Sequence, residues 1–197
     1  MSRRVFLLSP ANCGGERAQM LFSPRASFDL AMRLRTPGGA PLGEVMSFVS
    51  GLYFRGKLAY AARFGVPLVI TPHAGLRPAD EPVTLARLRA AARVDIHAEN
   101  PRYRRPLLLS ARVVASVLQP DDGVTLLGSI ASDKYVTALL EVFGERLTFP
   151  RVFVGRGDMS RGGLLLRSVR YDVELEYVPI LGAVRHGRRP PRLERVR

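Results

Sequence analysis

The chain has 197 residues, of which 47% are hydrophobic, enough for one globular domain with a substantial core. Thirty Lys and Arg residues against seventeen Asp and Glu residues give a formal net charge of +13, so nucleic acid or another polyanion is the natural partner. No apolar stretch approaches the ~18 residues of a membrane span, and we expect a cytoplasmic protein with no membrane partner.

The first half of the chain predicts two buried strands with helices between and after them. The first strand, 4–8, is an apolar run that stops at Ser9-Pro10 and is too short for a signal-peptide core. The second strand, 67–71, leads into a polar turn that extends to Leu76. Apolar residues at helical spacing predict helices near residues 16–21, 27–34, 45–52, 58–64 and 84–92.

The second half continues this alternation after an irregular segment over 95–106. The helix that follows, 107–118, is expected to turn Val113 and Val117 towards the core. A well-capped helix is predicted over 133–144, and a short one after residue 163. Three further strands are predicted over 124–127, 147–154 and 173–178.

Strands that alternate with helices predict an α/β fold, a three-layer α/β/α sandwich around a mostly parallel sheet of about four or five strands. We expect a single domain over 1–184 and a flexible basic tail over 185–197, because the tail lacks an apolar period. Parallel strands end at a common edge, and ligands bind there. Four strand exits rich in small and polar residues are expected to meet at that edge: 9–12, 71–73, 128–133 and 155–163.

The segment 155–163, Gly-Arg-Gly-Asp-Met-Ser-Arg-Gly-Gly, carries the strongest of these patterns. Its backbone N–H groups, Ser160 and the guanidinium groups of Arg156 and Arg161 suit an anion such as phosphate. Asp158 would then orient a water molecule or a sugar hydroxyl. The alternative is a structural Arg–Asp pair, with Asp158 or Ser160 capping the following helix, and both interpretations fit the sequence equally.

One histidine and two lysines are further candidates. His73 is the only histidine at the expected edge, and it is either a general acid or base or a turn histidine bonded to the backbone. Lys57 and Lys134 are the only lysines among the thirty basic residues, and each lies close to aromatic residues. A compact ammonium cannot be replaced by a guanidinium at a tight contact, so one or both are expected to touch the ligand. The alternative is two ordinary surface lysines.

The remaining polar candidates lie in the exits of the first and third strands. Ser9, Asn12 and Ser129 are expected to add hydroxyl and amide groups to the ligand site. Cys13 is either a nucleophile or an inert small residue, and a single cysteine fits a reducing compartment. Three scattered histidines and one cysteine lack metal-ligand spacing, so we predict no metal and no cofactor.

Three short motifs occur in order along this framework. They are Leu7-Leu-Ser-Pro-Ala11 at a strand end, Gly75-Leu-Arg-Pro-Ala-Asp80 after the second strand, and Leu127-Gly128 followed by Tyr135 on a helix. Together they resemble a group of small bacterial and phage α/β proteins whose layout is similar to uracil-DNA glycosylase-like folds. The resemblance spans about residues 4–144 and implies a three-layer α/β domain that acts on a nucleobase or nucleotide. The segment 155–163 lies outside this pattern.

The sequence therefore predicts a nucleotide- or nucleic-acid-binding protein with its crevice at the carboxyl edge of the sheet. It favours an enzyme, a hydrolase of N-glycosidic or phosphate bonds, with Asp158 and His73 in acid–base roles. Arg156, Arg161 and Lys134 would hold the phosphate. The alternative is a non-catalytic nucleic-acid-binding or regulatory module that uses the charge and the basic tail.

Overall fold

The computed structural model describes residues 3–191 and 193, and these form eight α-helices and two β-sheets. The strands are β1 (Arg4–Leu8), β2 (Ala40–Pro41), β3 (Val66–Thr71), β4 (Gly75–Pro78), β5 (Pro82–Val83), β6 (Gly123–Leu127), β7 (Leu147–Pro150) and β8 (Tyr177–Pro179). The helices are α1 (Glu16–Phe22), α2 (Asp29–Arg33), α3 (Leu42–Ser50), α4 (Leu52–Phe64), α5 (Leu85–Ala92), α6 (Pro101–Val117), α7 (Asp133–Phe143) and α8 (Asp158–Tyr171). Within these residues no helix is long and apolar enough to cross a membrane.

The larger sheet has six strands in the order β4-β3-β1-β6-β7-β8. Its four inner strands run parallel, and the two edge strands run antiparallel to their neighbours. The predicted α/β class with a mostly parallel sheet is confirmed, but the sheet contains more strands than the four or five expected. The additional strand is β4, which lies partly in the segment predicted as a turn. Gly75, with φ +70°, allows the chain to reverse within four residues of β3.

Helices cover both faces of this sheet. Helices α4 and α8 pack together on one face, and α6 and α7 pack together on the other. The chain moves from β1 towards one edge of the sheet and from β6 towards the other, so right-handed crossovers place the connecting helices on opposite faces. On the α4 face, the Phe6 ring meets the Tyr60 ring edge-on, with 5.5 Å between centroids. The result is the predicted three-layer sandwich.

Helix α6 begins earlier than the sequence pattern predicts. The segment over 95–106 was expected to be irregular, but the helix begins at Pro101, where Asn100 Oδ1 accepts the Arg102 N–H at 3.1 Å. With the first turns included, the buried stripe of α6 contains Tyr103, Leu107, Leu108 and Ala111. Val113 and Val117, which were predicted to face the core, are 65% and 70% exposed.

The C-terminal elements are shorter or shifted relative to their predictions. The fourth strand ends at Pro150 rather than at residue 154, because proline lacks the N–H that would continue the ladder, and a 3₁₀ turn follows over 151–153. The last strand covers only Tyr177–Pro179. Of the predicted flexible tail, residues 192 and 194–197 lie outside the described residues. The single domain and the tail's flexibility stay predictions.

Two glycines bring α4 and α8 into backbone contact. A Cβ on Gly56 of α4 would lie 2.8 Å from the Gly162 carbonyl oxygen of α8. A Cβ on Gly162 would lie 2.9 Å from the Tyr53 Cα. Because neither residue has a side chain, the first turn of α8, with Asp158, lies beside the α4 residues Tyr53 and Lys57.

Candidate functional site

A pocket of about 800 Å³ lies at the carboxyl ends of β1 and β6. These two strands are neighbours in the sheet. After β1 the chain continues to β3 on one side of the pair, and after β6 it continues to β7 on the other side. The pocket therefore lies at the topological switch point of the sheet. We call it the switch-point pocket. Six residues predicted from the sequence line it: Ser9, Asn12, Lys57, Ser129, Lys134 and Asp158.

Lys57 is one of the lining residues and is 1% exposed, so it is not a surface lysine. Its Nζ donates to the Ser9 carbonyl oxygen at 2.6 Å and lies 2.9 Å from Ser9 Oγ. The Nζ also lies 4.5 Å and 4.7 Å from the ring centroids of Tyr53 and Phe54. Burial lowers the pKa of Lys57 to about 7, an effect that the negative charge of Asp158 opposes. The neutral amine of Lys57 is therefore accessible near neutral pH.

Ser9 is held where β1 meets β6. Its N–H donates to the Leu127 carbonyl oxygen at 3.1 Å, which continues the pairing of the two strands by one residue. Across from it, Gly128 leaves no room for a side chain, since a Cβ there would lie 2.8 Å from Ser9 Cβ and 3.0 Å from Tyr135 Oη. The Tyr135 hydroxyl donates to the Ser129 carbonyl oxygen at 2.8 Å. The hydroxyl groups of Ser9 and Tyr135 thus both border Gly128 at the edge of the pocket.

Replacement of Gly128 by alanine is expected to lower the free energy of unfolding by about 1–3 kcal/mol, because the new methyl group overlaps Ser9 and backbone must move. Gly38→Ala is the matched control: this glycine is exposed, and a Cβ there meets only Thr36 Oγ1 at 4.0 Å. The control should change stability by less than ~0.5 kcal/mol. Urea denaturation of both variants measures the difference, and equal midpoints would contradict this account of Gly128.

Tyr53 adds a buried phenol to the same pocket. Its Oη has no partner at hydrogen-bonding geometry among the described residues. Burial raises the pKa of the Tyr53 phenol, and the positive charge of Arg161 opposes the rise. The phenol is therefore protonated at neutral pH and can donate a hydrogen bond. Nothing in the sequence singles out Tyr53 as a site residue, since a tyrosine at helical spacing is indistinguishable from a core aromatic.

Asp158 and Arg161 form the Arg–Asp pair that the sequence left open, with 3.4 Å between Arg161 Nη1 and Asp158 Oδ1. Arg161 is buried, and its Nε and Nη2 donate to the Phe153 carbonyl oxygen at 3.2 Å and 3.1 Å. Its guanidinium therefore fastens the 3₁₀ turn over 151–153 to α8. The Asp158 side chain is 69% exposed and lines the pocket. Gly157 occupies the cap position of α8 with no side-chain cap hydrogen bond, so the capping that the structural alternative assigned to Asp158 or Ser160 is not formed.

Arg156 and Ser160 lie outside the switch-point pocket. They line a separate cavity of about 280 Å³ together with residues 189–191. Arg156 Nη1 donates to Ser160 Oγ at 3.2 Å and to the Pro191 carbonyl oxygen at 3.3 Å. Because α8 begins at Asp158, successive side chains turn by about 100°, and the expected phosphate loop is divided between two surfaces.

His73 also lies apart from Asp158. It lines a third cavity, of about 280 Å³, with Arg77, Glu81 and Arg87. Burial lowers the pKa of His73, and the cations of Arg87 and Arg77 add to this effect. Asp158 and His73, which were expected to share acid–base roles at one site, therefore lie in different cavities. The physical reason is that the chain turns back as β4 directly after β3.

Two more pocket residues carried no usable signal in the sequence. Arg93 and Asp95 form one wall, in a stretch after α5 that has no pattern. Cys13 also lines the pocket, but burial raises the pKa of its thiol to about 12. Cys13 therefore remains a thiol at neutral pH, as its inert alternative requires.

The switch-point pocket thus combines a buried amine, Lys57, with the exposed cations Lys134 and Arg93 and the exposed carboxylate Asp158. Cations suit phosphate oxygens, and a carboxylate suits hydroxyl groups or water. The pocket volume lies within the range of small-molecule sites. In comparisons with protein-family models, curated proteins and solved structures, nothing matches this chain.

Proposed function

We propose that this protein binds a nucleotide or a nucleic-acid strand in the switch-point pocket and hydrolyses a phosphate or N-glycosidic bond there. The observation that carries the proposal is a fully buried lysine, Lys57, in a pocket of about 800 Å³ at the switch point of a parallel sheet. Burying an amine without an ion-pair partner lowers stability, and such a residue is typically kept for an activity that depends on it.

The charges around the pocket fit the two ends of a nucleotide. Lys134 and Arg93 are exposed cations beside Lys57, and they suit the phosphate oxygens. Asp158 and Asp95 are exposed carboxylates on the same rim, and they suit sugar hydroxyls or a water molecule. The net charge of +13 would add long-range attraction for a polyanion.

The test is fluorescence anisotropy with labelled single-stranded DNA, double-stranded DNA and RNA, and competition by mononucleotides, at low and moderate salt. Lys134→Ala is expected to weaken binding roughly 10-fold or more, because it removes a charge-assisted contact worth about 1.5–3 kcal/mol. Arg170→Ala is the matched control. It also removes one positive charge, but Arg170 lies in the last turn of α8, at the other end of that helix from the pocket residue Asp158. The control should weaken binding less than ~3-fold.

The same samples also distinguish an enzyme from a non-catalytic binding module. Chromatography of the products would detect released base or phosphate, and Asp158→Asn should lower turnover more than binding. Binding that both alanine variants weaken equally, with no turnover, would favour a non-catalytic module that uses surface charge. No binding at low salt would contradict the proposal.

A further inference from the structure

Ser9 and Lys57 form a pair that neither the charge of the pocket nor phosphate binding explains. Lys57 Nζ lies 2.9 Å from Ser9 Oγ, within the reach expected of a nucleophile and its base. The two residues are 48 positions apart: Ser9 directly follows β1, and Lys57 lies in the middle of α4. We propose that Ser9 is the nucleophile of the switch-point pocket and Lys57 its general base, and that they cleave a phosphate ester. This proposal rests on the proposed function.

The position of Lys57 Nζ is held from three sides. The Ser9 carbonyl oxygen accepts one of its hydrogens at 2.6 Å, and the rings of Tyr53 and Phe54 lie within 5 Å. As a neutral amine, Lys57 keeps that donated bond and presents its lone pair to Ser9 Oγ. A base needs a lone pair at the working pH, and burial supplies it by lowering the pKa of Lys57 to about 7.

Ser9 is placed to reach a ligand. It is the first residue after β1, and it lines the pocket. Gly128 and Lys57 hold the serine on two sides, so its Oγ has little freedom to turn from the amine. Cys13 also lines the pocket, but burial raises the pKa of its thiol to about 12, so no thiolate is present at neutral pH.

The reaction balances with water as the only co-reactant. Ser9 Oγ bonds to phosphorus as its proton passes to Lys57 Nζ, and the bond from phosphorus to the ester oxygen breaks. The Lys57 ammonium returns the proton to that leaving oxygen, which departs as an alcohol. Water then attacks the phosphoserine while Lys57 accepts its proton, and Ser9 Oγ leaves with that proton. Lys134 and Arg93, on the rim, would neutralise the phosphoryl charge.

The test is covalent labelling with a fluorophosphonate, an electrophile that phosphonylates activated serines, followed by mass spectrometry of the Ser9 peptide. We expect labelling at Ser9 with a rate that rises with pH through a midpoint near 7. Lys57→Met and Lys57→Arg should each lower the rate ~100-fold or more, because a thioether and a guanidinium cannot accept the proton. Ser116→Ala, which removes an exposed hydroxyl of α6 outside the pocket, should leave the rate within ~3-fold.

The outcomes are distinguishable from those of the proposed function. No labelling of Ser9, or labelling that Lys57→Met does not slow, would overturn the nucleophile–base pair even if nucleic acid still binds. Labelling without nucleotide or nucleic-acid binding would overturn the proposed function instead. Release of p-nitrophenolate from bis(p-nitrophenyl) phosphate supports the phosphate ester. Release from p-nitrophenyl acetate alone would overturn that assignment.

Discussion

Gly56→Ala is expected to lower the free energy of unfolding by about 2–3 kcal/mol and to abolish ligand binding in the switch-point pocket. The new methyl group would lie 2.8 Å from the Gly162 carbonyl oxygen, and 3.1 Å from its Cα, so α4 and α8 must separate. Overpacking against backbone cannot be relieved by a change of rotamer, which places the cost at the upper end of its usual range. Separation also moves Asp158 away from Lys57 and Tyr53.

Gly163→Ala is the matched control for this prediction. Gly163 lies next to Gly162 in α8, but a Cβ there meets only the flexible Leu193 side chain, at 3.4 Å. Alanine favours the helix over glycine by up to about 1 kcal/mol, so this variant should be as stable as the wild type or more stable. Guanidinium denaturation followed by circular dichroism measures both. Equal stability of the two alanine variants would contradict the close contact of α4 and α8.

Lys57→Met is expected to remove a distinctive rise of stability with pH. In the wild type, the pKa of Lys57 falls from its ordinary value of 10.5 to about 7 on folding. Between these values the unfolded chain binds a proton that the folded chain does not, so the free energy of unfolding rises with pH. Below about pH 7 both states are protonated, and the cost of burying the charge is present in full. From pH 6 to pH 9 the wild type should gain about 2–3 kcal/mol relative to Lys57→Met.

The other titrating groups do not obscure this difference. Burial raises the pKa of the Cys13 thiol to about 12, which makes stability fall with pH above the ordinary thiol range, but wild type and variant share this effect. Lys134→Met is the control, because Lys134 is exposed. Urea midpoints measured at half-unit pH steps would test the prediction. Parallel curves for wild type and Lys57→Met would contradict the burial of a titrating amine.

The prediction for Lys57 describes a pocket whose buried amine lowers the free energy of unfolding near neutral pH. Methionine has similar length to lysine and no charge, so at pH 6 we expect Lys57→Met to be at least as stable as the wild type. A residue that lowers stability at neutral pH is typically kept for an activity that depends on it. This is the sense in which Lys57 supports a functional rather than a structural interpretation.

Local signals in the sequence determined much of the fold. The first strand, Arg4–Leu8, was predicted with its exact limits, because a short apolar run that stops at Ser9-Pro10 leaves no helical alternative. The helix that ends at Gly144 was predicted equally well, because its apolar spacing and its terminal glycine are contained within a single segment. Alternation of such elements was sufficient for the α/β class and for the edge where polar side chains meet. Each of these features depends on residues that are close together in the chain.

Only the tertiary structure decided which candidates share a pocket. Lys57 was notable in the sequence as one of two lysines, but its hydrogen bonds are to Ser9, which is 48 residues away. His73 and Arg156 follow strands as expected. His73 lies in a separate cavity because the chain turns back as β4 directly after β3. Arg156 lies in another cavity because the start of α8 at Asp158 directs the two side chains to different surfaces. Spacing along a chain gives the face of an element, whereas the partner of that face is set by packing among segments distant in sequence. The amine, the hydroxyl and the carboxylate of this site therefore meet only in the folded protein.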